Sequence, residues 1–319
     1  MTIENPKPKI EATIAILGTG AWGTALANVA AGNGHRMRLW SRHCGQSLVE
    51  AIAGADTILS AVSMKGVRPV VELIKPLGLS SQTIIVTATK GLDPSTTCTP
   101  AQIWQAAFPS HPVVVLAGPN LSKEIEQGLP AATVVASNDA EAAKVVQARL
   151  NSTRFRVYTN PDPLGVELGG TLKNVIAIAA GTCDGLQLGT NAKAALVTRG
   201  LAEIIRIGTH WGAKADTFYG LSGLGDLLAT CNSPLSRNYQ VGYQLAQGKQ
   251  LPEVLAALQG TAEGVNTTQV LMELANQQGI SVPISYQVYR LLQGEVTPQA
   301  AVDALMLRDV KPEIGSSVE

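Results

Sequence analysis

A lysine in the middle of an apolar stretch is the first residue of this sequence that could do chemistry. Lys173 and Asn174 lie within GGTLKNVIAIAAG (169–181), whose glycines, alanines and isoleucines suit a buried helix. Burying an unpaired ammonium group is costly, so such a lysine is either matched by a carboxylate or kept for chemistry. Because desolvation lowers the pKa of a lysine, we expect Lys173 to act as a general acid or base. The other interpretation is a lysine at the helix edge that extends into water.

Asp226 is a candidate partner for this lysine. It lies in GLSGLGDLLATC (220–231), a glycine-rich turn that leads into an apolar stretch. The glycines that precede the aspartate let the backbone come close to another group. A carboxylate at this place would satisfy the charge that Lys173 brings into the interior. The alternative is that the segment is an ordinary turn.

Three consecutive polar residues indicate an anion site. Ser236, Arg237 and Asn238 supply a hydroxyl, a guanidinium fork and an amide, a set suited to holding a phosphate group. Each of them alone could belong to a turn or a helix cap. Together with Lys90 and Lys173 they indicate a small anionic substrate.

A glycine motif near the start indicates a nucleotide site. Gly18, Gly20 and Gly23 follow an apolar run and precede a helical pattern in IAILGTGAWG (14–23). In a dinucleotide-binding turn the first glycine permits the tight turn and the second lets a pyrophosphate approach. The third packs helix against strand. The helix N-terminus then offers its amides to the phosphates. The alternative is a tight turn without a ligand.

The residues that follow the second predicted strand favour one form of the dinucleotide. An Asp or Glu is usual there, because its carboxylate accepts hydrogen bonds from the ribose 2′-hydroxyl. Here the place holds Trp40, Ser41, Arg42 and His43. Arg42, aided by His43, can pair with a 2′-phosphate. The sequence therefore predicts NADP in preference to NAD, unless Arg42 is simply a solvated residue at a strand end.

Polar residues also follow the fourth and fifth predicted strands. Lys90 comes directly after the fourth strand in ATKG (88–91), and Gly118 and Asn120 follow the fifth strand in AGPN. Ser122 then opens a helix. Ligands of open α/β sheets bind at the carboxyl ends of the strands. We therefore expect these residues to line a cleft.

The elements that must position these residues fall into two halves. The first half alternates apolar strands with helical patterns, which predicts a doubly wound parallel sheet. The second half is a succession of helical patterns with almost no strand signal. PDPLG (161–165) is the predicted join, which gives domains of residues 1–162 and 163–319. The predicted strands cover residues 13–18, 36–40, 55–62, 83–89, 112–118, 131–137 and 155–160.

Composition limits the classes of function. The 319 residues carry 24 basic and 24 acidic side chains, and this zero net charge argues against nucleic acid or an anionic membrane as partner. No apolar run of about eighteen residues indicates a membrane span, and the N-terminus lacks the pattern of a signal peptide. The histidines are isolated, so no metal site is predicted. The scattered cysteines are expected to be reduced thiols in a cytoplasmic protein: Cys44, Cys98, Cys183 and Cys231.

One group of charged residues has no place in these sites. Arg199, Glu203 and Arg206 fall at helical spacing, which indicates one solvated or interface face. The sequence does not give the oligomeric state, and a homodimer is an option that it leaves open.

Taken together, the motifs resemble those of bacterial-type NAD(P)-dependent glycerol-3-phosphate dehydrogenase. The resemblance runs from about Ile14 to Glu313, and TKG, LKN, GLGD and SRN in this order are specific to that family. It implies a Rossmann-like sheet domain followed by an all-helical substrate domain. The motifs are GTGAWGTALA, ATKGL, AGPNLSKEI, GGTLKNVIAIAAG, TRGLAEI, GLGDLLATC, SRNYQVG and AEGV.

The resemblance also implies an activity and the roles of individual residues. The enzyme would reduce dihydroxyacetone phosphate to glycerol 3-phosphate with NADPH, or with NADH, in the cytoplasm, and would supply glycerophospholipid synthesis. Lys173 would give and take the proton. The substrate would be bound by Lys90, Gly118, Asn120, Lys173, Asp226, Ser236, Arg237 and Asn238. The dinucleotide would be bound by Gly18, Gly20, Ala21, Trp22, Gly23, Arg42, His43, Lys90, Ser122, Arg237, Thr261 and Glu263.

The chain departs from the family pattern in the segment after Arg42. Cys44 to Ala55 leaves room for one short helix only, where the family usually has a longer stretch. Asn120 also stands where Ser or Thr is more usual. We therefore expect cofactor affinity to suffer before chemistry does.

Two other functions stay open at this point. A related β-hydroxyacid dehydrogenase would share the glycine motif and a helical lysine, but would not need Lys90 together with Ser236, Arg237 and Asn238. A non-catalytic sensor of nucleotide or triose phosphate would need no general acid, so Lys173 with Asp226 argues against it.

Overall fold

Seven strands form one sheet, at the places that the sequence predicted. They are β1 (Thr13–Leu17), β2 (Arg36–Trp40), β3 (Thr57–Ser60), β4 (Ile84–Thr87), β5 (Val113–Ala117), β6 (Ala131–Ala136) and β7 (Phe155–Asn160). The computed structural model describes residues 11–43, 45–258, 260–310 and 312–313. Cys44 lies outside the described residues, and the other three cysteines are free thiols.

The order of the strands in the sheet is β2-β1-β3-β4-β5-β6-β7. The chain leaves β1 toward one edge to form β2 and then crosses to the other side of β1 to form β3. At such a reversal a crevice opens beyond the carboxyl ends of the strands, and ligands bind there. The glycine motif follows β1 and therefore lies at this crevice.

One pair of strands departs from the predicted parallel pairing. All neighbours run parallel except β5 and β6, which are antiparallel, with Leu116 opposite Val135. A parallel crossover needs roughly a dozen or more residues, usually with a full helix. The connection from β5 to β6 is long enough, but its only helix is the five-residue α5 (Ser122–Glu126), and the chain turns back beside β5. The predicted doubly wound α/β fold is otherwise confirmed.

Helices cover both faces of the sheet. They are α1 (Ala21–Gly32), α2 (Leu48–Ile52), α3 (Met64–Ile74), α4 (Pro100–Ala107), α5 and α6 (Ala140–Leu150). Ile14 and Ile16 pack in one core cluster with α1 and α6, while Ala15 and Leu17 pack in another with α3 and α4. Because both faces are covered, β3, β4 and β5 are buried at every residue.

The second half of the described chain is helical and is built around one central helix. Its helices are α7 (Pro163–Gly185), α8 (Gly189–His210), α9 (Asp226–Cys231), α10 (Arg237–Ala246), α11 (Leu251–Ala257), α12 (Glu263–Gln278), α13 (Pro283–Leu292) and α14 (Pro298–Met306). Helix α7 is buried along nearly its whole length. It begins where the Asp162 carboxylate accepts a hydrogen bond from Gly165 N at 2.9 Å, with Pro163 in its first turn.

Glycines let the backbone of α10 touch that of α7. A Cβ on Gly242 would lie 1.8 Å from Ile178 O, and a Cβ on Gly181 would lie 2.0 Å from Tyr239 O. Both distances are far below van der Waals contact. The position of α7, and of every side chain on it, therefore depends on this crossing.

The segment that was predicted as a glycine-rich turn is helical. Leu221–Gly225 forms one wide π-helical turn that continues directly into α9 at Asp226. Such turns are frequent at functional sites. The turn packs against α7, because a Cβ on Gly169 would lie 2.8 Å from Ser222 O. This packing sets the distance between α7 and Asp226.

The interpretation of Arg199, Glu203 and Arg206 as one solvated or interface face is wrong for Glu203. Its side chain is buried, and its carboxylate oxygens accept hydrogen bonds from Ile284 N at 2.9 Å and Ser285 N at 2.8 Å. Glu203 therefore caps the first turn of α13. Burial raises the pKa of this carboxyl group. Arg199 and Arg206 remain half-buried at the surface.

We propose that the boundary between the two domains lies between residues 162 and 163. The last strand ends at Asn160, and the first helix of the helical half begins at Pro163. Within the described ranges, no helix is both long enough and apolar enough to cross a membrane.

The crossing of α7 and α10 leads to a prediction about stability. We expect Gly242→Ala to destabilise the protein by about 3 kcal/mol or more, because the new methyl group would overlap a main-chain oxygen that cannot move aside. The measurement is urea unfolding followed by circular dichroism. Gly32→Ala at the end of α1 is the control: no heavy atom lies within 4 Å of its Cβ, so stability should not fall. Equal midpoints for the two variants would contradict the prediction.

Candidate active site

Three charged side chains from three distant segments meet beside the sheet. Lys173 Nζ donates to Asp226 Oδ1 at 2.7 Å, and Lys90 Nζ donates to Asp226 Oδ2 at 2.6 Å. Lys90 follows β4, Lys173 lies in the middle of α7, and Asp226 is the first residue of α9. The prediction that Asp226 pairs with Lys173 is confirmed. Lys90 is a second partner of the same carboxylate.

This cluster is buried and has an excess of positive charge. Lys173 is 5% exposed and Asp226 is 2% exposed, while the Lys90 side chain is 22% exposed. Burial lowers the pKa of Lys173 to about 8, and the charge of Lys90 acts in the same direction. The attraction of Asp226 opposes both effects. Lys173 can therefore hold or release a proton near neutral pH, as a general acid or base requires.

Glycine and threonine residues hold Lys90 against α7. The Lys90 side chain lies over Gly170, where a Cβ would be 3.5 Å from Lys90 Cε. Gly91 N, next in the chain, donates to Thr171 Oγ1 at 3.0 Å. This hydrogen bond ties the loop after β4 to α7 and so connects the sheet with the helical half. Lys90 Nζ also contacts Gly118 O at 3.4 Å, beyond the end of β5.

Thr230 belongs to the cluster, although the sequence analysis did not include it. Its hydroxyl accepts a hydrogen bond from Lys173 Nζ and donates to Asp226 Oδ1 at 3.3 Å. Thr230 is four residues after Asp226 on α9, so both side chains lie on the same face of that helix. That spacing is the signal that could have identified it. Cys231, next to it, is a buried thiol whose pKa is raised to about 12 by burial, as expected for a small buried residue.

The predicted anion-binding residues lie at the N-terminus of α10, close to the lysine. Ser236 caps the helix by accepting a hydrogen bond from Tyr239 N at 3.2 Å. Asn238 Oδ1 accepts one from Gly264 N at 2.9 Å. A Cβ on Gly264 would be 2.7 Å from Asn174 O, so this turn lies against the α7 residue next to Lys173. The polar cluster and the segment 236–238 therefore belong to one site.

Arg237 is exposed and packs against a glycine that the sequence analysis also did not include. A Cβ on Gly260 would lie 2.4 Å from Arg237 Nη1, so no larger residue fits there without moving the guanidinium group. Gly260 has φ +95°, a backbone conformation that favours glycine. Arg237 also lies near Glu263, since its charge lowers the pKa of that carboxyl group against the raising effect of burial.

The backbone geometry of the glycine motif is suited to binding a dinucleotide. Gly18 has φ +103°, and a Cβ on it would lie 2.9 Å from Ala61 C; a Cβ on Gly23 would lie 1.9 Å from Gly18 O. Gly20, in contrast, has no heavy atom within 4 Å of its Cβ position, so its face is open. Helix α1 begins next to it, at Ala21. The arrangement is an open cradle at a helix N-terminus, which suits a pyrophosphate.

The remaining predicted cofactor residues surround this cradle at varying distances. Trp22 Nε1 donates to Ala88 O at 3.2 Å, which joins α1 to the segment before Lys90. Glu263 Oε1 accepts from Met64 N at 3.3 Å, so α12 reaches the residues after β3. Thr261 is exposed just before α12. These contacts place the following predicted cofactor-binding residues on one side of the molecule: Gly18, Gly20, Ala21, Trp22, Gly23, Lys90, Arg237 and Glu263.

Four residues that were predicted to bind cofactor or substrate lie at the edge of this site. Arg42 and His43 are exposed in the turn after β2, and α2 is the one short helix that was predicted before β3. Asn120 Nδ2 donates to Thr133 Oγ1 at 2.9 Å, while its buried Oδ1 has no partner among the described residues. Ser122 is the first residue of α5, as predicted.

Family models match both halves of the chain. A model described as the C-terminus of NAD-dependent glycerol-3-phosphate dehydrogenase matches residues 162–303. The model of the N-terminus of the same enzyme matches in two pieces, residues 13–46 and 42–143. The pieces overlap at residues 42–46, at the start of the short segment between β2 and β3.

Similar proteins extend over nearly the whole chain. Glycerol-3-phosphate dehydrogenase (NAD(P)+) of a Nostoc species is 71% identical over 303 residues, which are 95% of this chain and 99% of the relative. The protein of the same name from Acaryochloris marina is 63% identical over 300 residues, 94% of this chain and 97% of the relative. The crystal structure of glycerol-3-phosphate dehydrogenase from Coxiella burnetii has a TM-score of 0.88 at 37% identity, and the match covers 93% of this chain and 99% of that one.

The electrostatics of the cluster lead to a prediction about the titration of Lys173. We expect its ammonium group to titrate near pH 8, at lower pH in Asp226→Asn and at higher pH in Lys90→Met, because Asp226 raises this pKa and Lys90 lowers it. The measurement is ¹³C NMR of lysine labelled at Cε, with the resonance assigned by its loss in Lys173→Met. Lys144→Met, on the exposed surface of α6, is the control and should leave the midpoint unchanged. Shifts in the opposite directions would refute this account of the cluster.

Proposed function

The chain belongs to the family of NAD-dependent glycerol-3-phosphate dehydrogenases, and we propose the following roles for its individual residues. The protein is an oxidoreductase that reduces dihydroxyacetone phosphate to glycerol 3-phosphate with NADP or NAD as cofactor. The observation that carries the assignment of roles is the buried cluster of Lys90, Asp226 and Lys173 beside the glycine cradle. The β-hydroxyacid dehydrogenase and the non-catalytic sensor are accordingly set aside.

Lys173 is the proton donor of the reduction. A bound nicotinamide would supply the hydride for the carbonyl carbon. The Lys173 ammonium group gives its proton to the carbonyl oxygen as negative charge develops there. In the oxidation the neutral amine takes the proton from the substrate hydroxyl group. The pKa of about 8 makes both forms accessible. Asp226 and Thr230 hold Lys173 Nζ in position, and Lys90 adds a second positive charge.

The substrate phosphate lies between the two domains. Ser236, Arg237 and Asn238 offer their polar groups from the start of α10, beside the α7 residue that follows Lys173. An arginine fork and a helix N-terminus both favour a phosphate group. The full set of substrate-binding residues in this proposal is Lys90, Gly118, Asn120, Lys173, Asp226, Ser236, Arg237 and Asn238.

The residues that would hold the dinucleotide lie along the crevice at the end of β1. Gly18, Gly20 and Gly23 would hold its pyrophosphate at the N-terminus of α1, and Arg42 with His43 would face the 2′-phosphate of NADP. This arrangement gives NADP the preference over NAD. The other cofactor-binding residues in this proposal are Ala21, Trp22, Lys90, Ser122, Arg237, Thr261 and Glu263.

The setting of the enzyme is also part of the proposal. It works in the cytoplasm as a homodimer and supplies glycerol 3-phosphate for glycerophospholipid synthesis. Large apolar side chains that are exposed at the end of α14 support a homodimer.

The role of Lys173 leads to the first functional prediction. We expect Lys173→Met to lower kcat for the reduction about 10²- to 10⁴-fold, because the developing alkoxide then has no proton donor. The measurement is NADPH oxidation at 340 nm with dihydroxyacetone phosphate, on protein whose circular dichroism matches wild type.

In the wild type, the reduction should slow as pH rises through about 8, and the oxidation should accelerate over the same range, since the first needs Lys173 protonated and the second needs it neutral.

Lys144→Met is the matched control, since Lys144 is exposed on α6 and pairs only with Glu141 among the described residues. It should leave both rates unchanged. Near-normal turnover in Lys173→Met would remove Lys173 from the chemistry and leave the family assignment intact.

The position of Arg42 leads to a prediction about the cofactor. We expect Arg42→Ala to lower kcat/KM for NADPH about tenfold or more and to leave NADH nearly unchanged, because only NADPH carries the 2′-phosphate that the guanidinium group would meet. The measurement is the same assay with each cofactor varied. Arg36→Ala, at the other end of β2, is the control. A loss of equal size with both cofactors would show that Arg42 does not read the 2′-phosphate.

A further inference from the structure

Glu167 is a buried carboxyl group on α7 that the proposed mechanism does not use. It is 2% exposed and lies six residues before Lys173, about 9 Å along the helix axis. Its Oε1 accepts a hydrogen bond from Ala101 N at 2.8 Å, and the Thr99 hydroxyl group also bonds to the carboxylate. Burial raises the pKa of this carboxyl group to about 7, against the lowering effect of both hydrogen bonds. Burying such a group is costly unless it is paired, so its partners indicate what it does.

The carboxylate of Glu167 meets the N-terminus of α4. Thr99 caps that helix by accepting a hydrogen bond from Gln102 N at 3.3 Å, and Pro100 is its first residue. Ala101 N is one of the main-chain donors that a helix leaves unpaired in its first turn, and Glu167 pairs with it. A negative charge is favourable there, because the helix dipole makes this end positive. Glu167 therefore docks α4, an element of the sheet half, on the central helix of the helical half.

The Lys90 loop (residues 88–99), which joins β4 to α4, is held on α7 at further points. Gly91 N donates to Thr171 Oγ1 at 3.0 Å, and Thr171 lies four residues after Glu167, so the two acceptors share one face of α7. Leu92 is 1% exposed and packs in the hydrophobic core of the helical half. The loop is thus fixed to α7 near its start and, through α4, at its end.

Lys90 is the residue that this loop places. It precedes Gly91, and its side chain lies over Gly170 of α7, with its Nζ 2.6 Å from Asp226 Oδ2. Such a short contact requires the backbone of Lys90 to lie at a defined distance from α9. Because charges interact strongly inside a protein, a small displacement of Lys90 changes both its bond to Asp226 and the pKa of Lys173.

We propose that Glu167 is a positioning residue of the active site and that, with Thr171, it holds the Lys90 loop on α7 so that Lys90 meets Asp226. The proposal rests on the function proposed above for Lys173 and Lys90. It adds a residue that acts through Lys90 and not through contact with the substrate. The substrate affinity of the polar cluster and the titration of Lys173 therefore depend on a carboxyl group outside the cluster.

The direction of one shift separates positioning from direct electrostatics. Loss of a negative charge near Lys173 would by itself favour the neutral amine and lower the pKa of Lys173. Displacement of Lys90 does the opposite, because Lys90 lowers that pKa and shares the carboxylate of Asp226. We therefore expect Glu167→Ala to move the titration of Lys173 to higher pH, toward the midpoint of Lys90→Met.

The test is the ¹³C NMR titration of Lys173 in Glu167→Ala and in Thr171→Val. In both, Lys173 should titrate at higher pH than in the wild type. In both, kcat/KM for dihydroxyacetone phosphate should fall about 10- to 100-fold, as a misplaced binding group causes. Glu167→Gln and Thr171→Ser should restore most of both values, because each keeps an oxygen that can accept the same main-chain hydrogen bond. A midpoint at or below that of the wild type in either folded variant would overturn the proposal.

Glu203→Ala is the matched control. Glu203 is also a buried glutamate that caps a helix, since it accepts hydrogen bonds from Ile284 N and Ser285 N, but that helix is α13 and not α4. The variant should lower the free energy of unfolding, as Glu167→Ala does, and leave the Lys173 midpoint unchanged. Equal shifts of the midpoint in both variants would show a general loosening of the helical half and overturn the proposal.

A double variant tests whether Glu167 acts through Lys90. In Lys90→Met the charge that the loop positions is absent, so the addition of Glu167→Ala should not raise the Lys173 midpoint further. A further rise as large as that in Glu167→Ala alone would show another route to Lys173 and overturn the proposal.

The NMR titration needs no turnover and therefore separates this proposal from the one on which it rests. Near-normal turnover in Lys173→Met, together with the expected midpoint shifts, would overturn the function proposed for Lys173 and keep Glu167 as a residue that positions Lys90. Loss of turnover in Lys173→Met, with unchanged midpoints in Glu167→Ala and Thr171→Val, would overturn the role of Glu167 alone.

Discussion

One carboxylate group, that of Asp226, is shared by the ammonium groups of Lys90 and Lys173 inside the protein. Bringing these charges out of water is unfavourable, and the arrangement persists only because each lysine has a short contact to the same aspartate. The three residues come from a strand end, a central helix and a short helix, and so the folds of both halves must fix their distances. Removing the aspartate would leave two positive charges facing each other without compensation.

The two halves contribute different kinds of group to this site. The sheet half supplies the glycine cradle, Lys90 and Gly118 from strand ends, where backbone groups are free to meet a ligand. The helical half supplies Lys173 and Asp226, whose positions depend on helix packing. The hydrogen bond from Gly91 N to Thr171 Oγ1 joins the two, so the position of Lys90 relative to Lys173 depends on one short loop and one helix.

Much of this arrangement could be predicted from the sequence, because the signals were local. Buried strands are continuous apolar runs, and a lysine in an apolar helix calls for a carboxylate. The glycine-rich segment before Asp226 made that residue the candidate, although it lies 53 positions away. The reversed direction of β6 could not be predicted, since an apolar strand has the same composition in both directions. The burial of Glu203 could not be predicted, because its partners, Ile284 and Ser285, lie some 80 positions further along the chain. The place of Thr230 in the cluster could not be predicted, because a threonine in a short helix gives no signal of its contacts with Lys173 and Asp226.

The crossing of α7 and α10 restricts how this sequence can change over evolution. Gly181 and Gly242 face main-chain oxygens, so no second mutation in a neighbouring side chain could make room for a methyl group at either position. Core side chains around α7, in contrast, can exchange volume with one another. A lineage or a mutant library can therefore vary the packing around the buried Lys173 widely, while these two positions admit glycine alone.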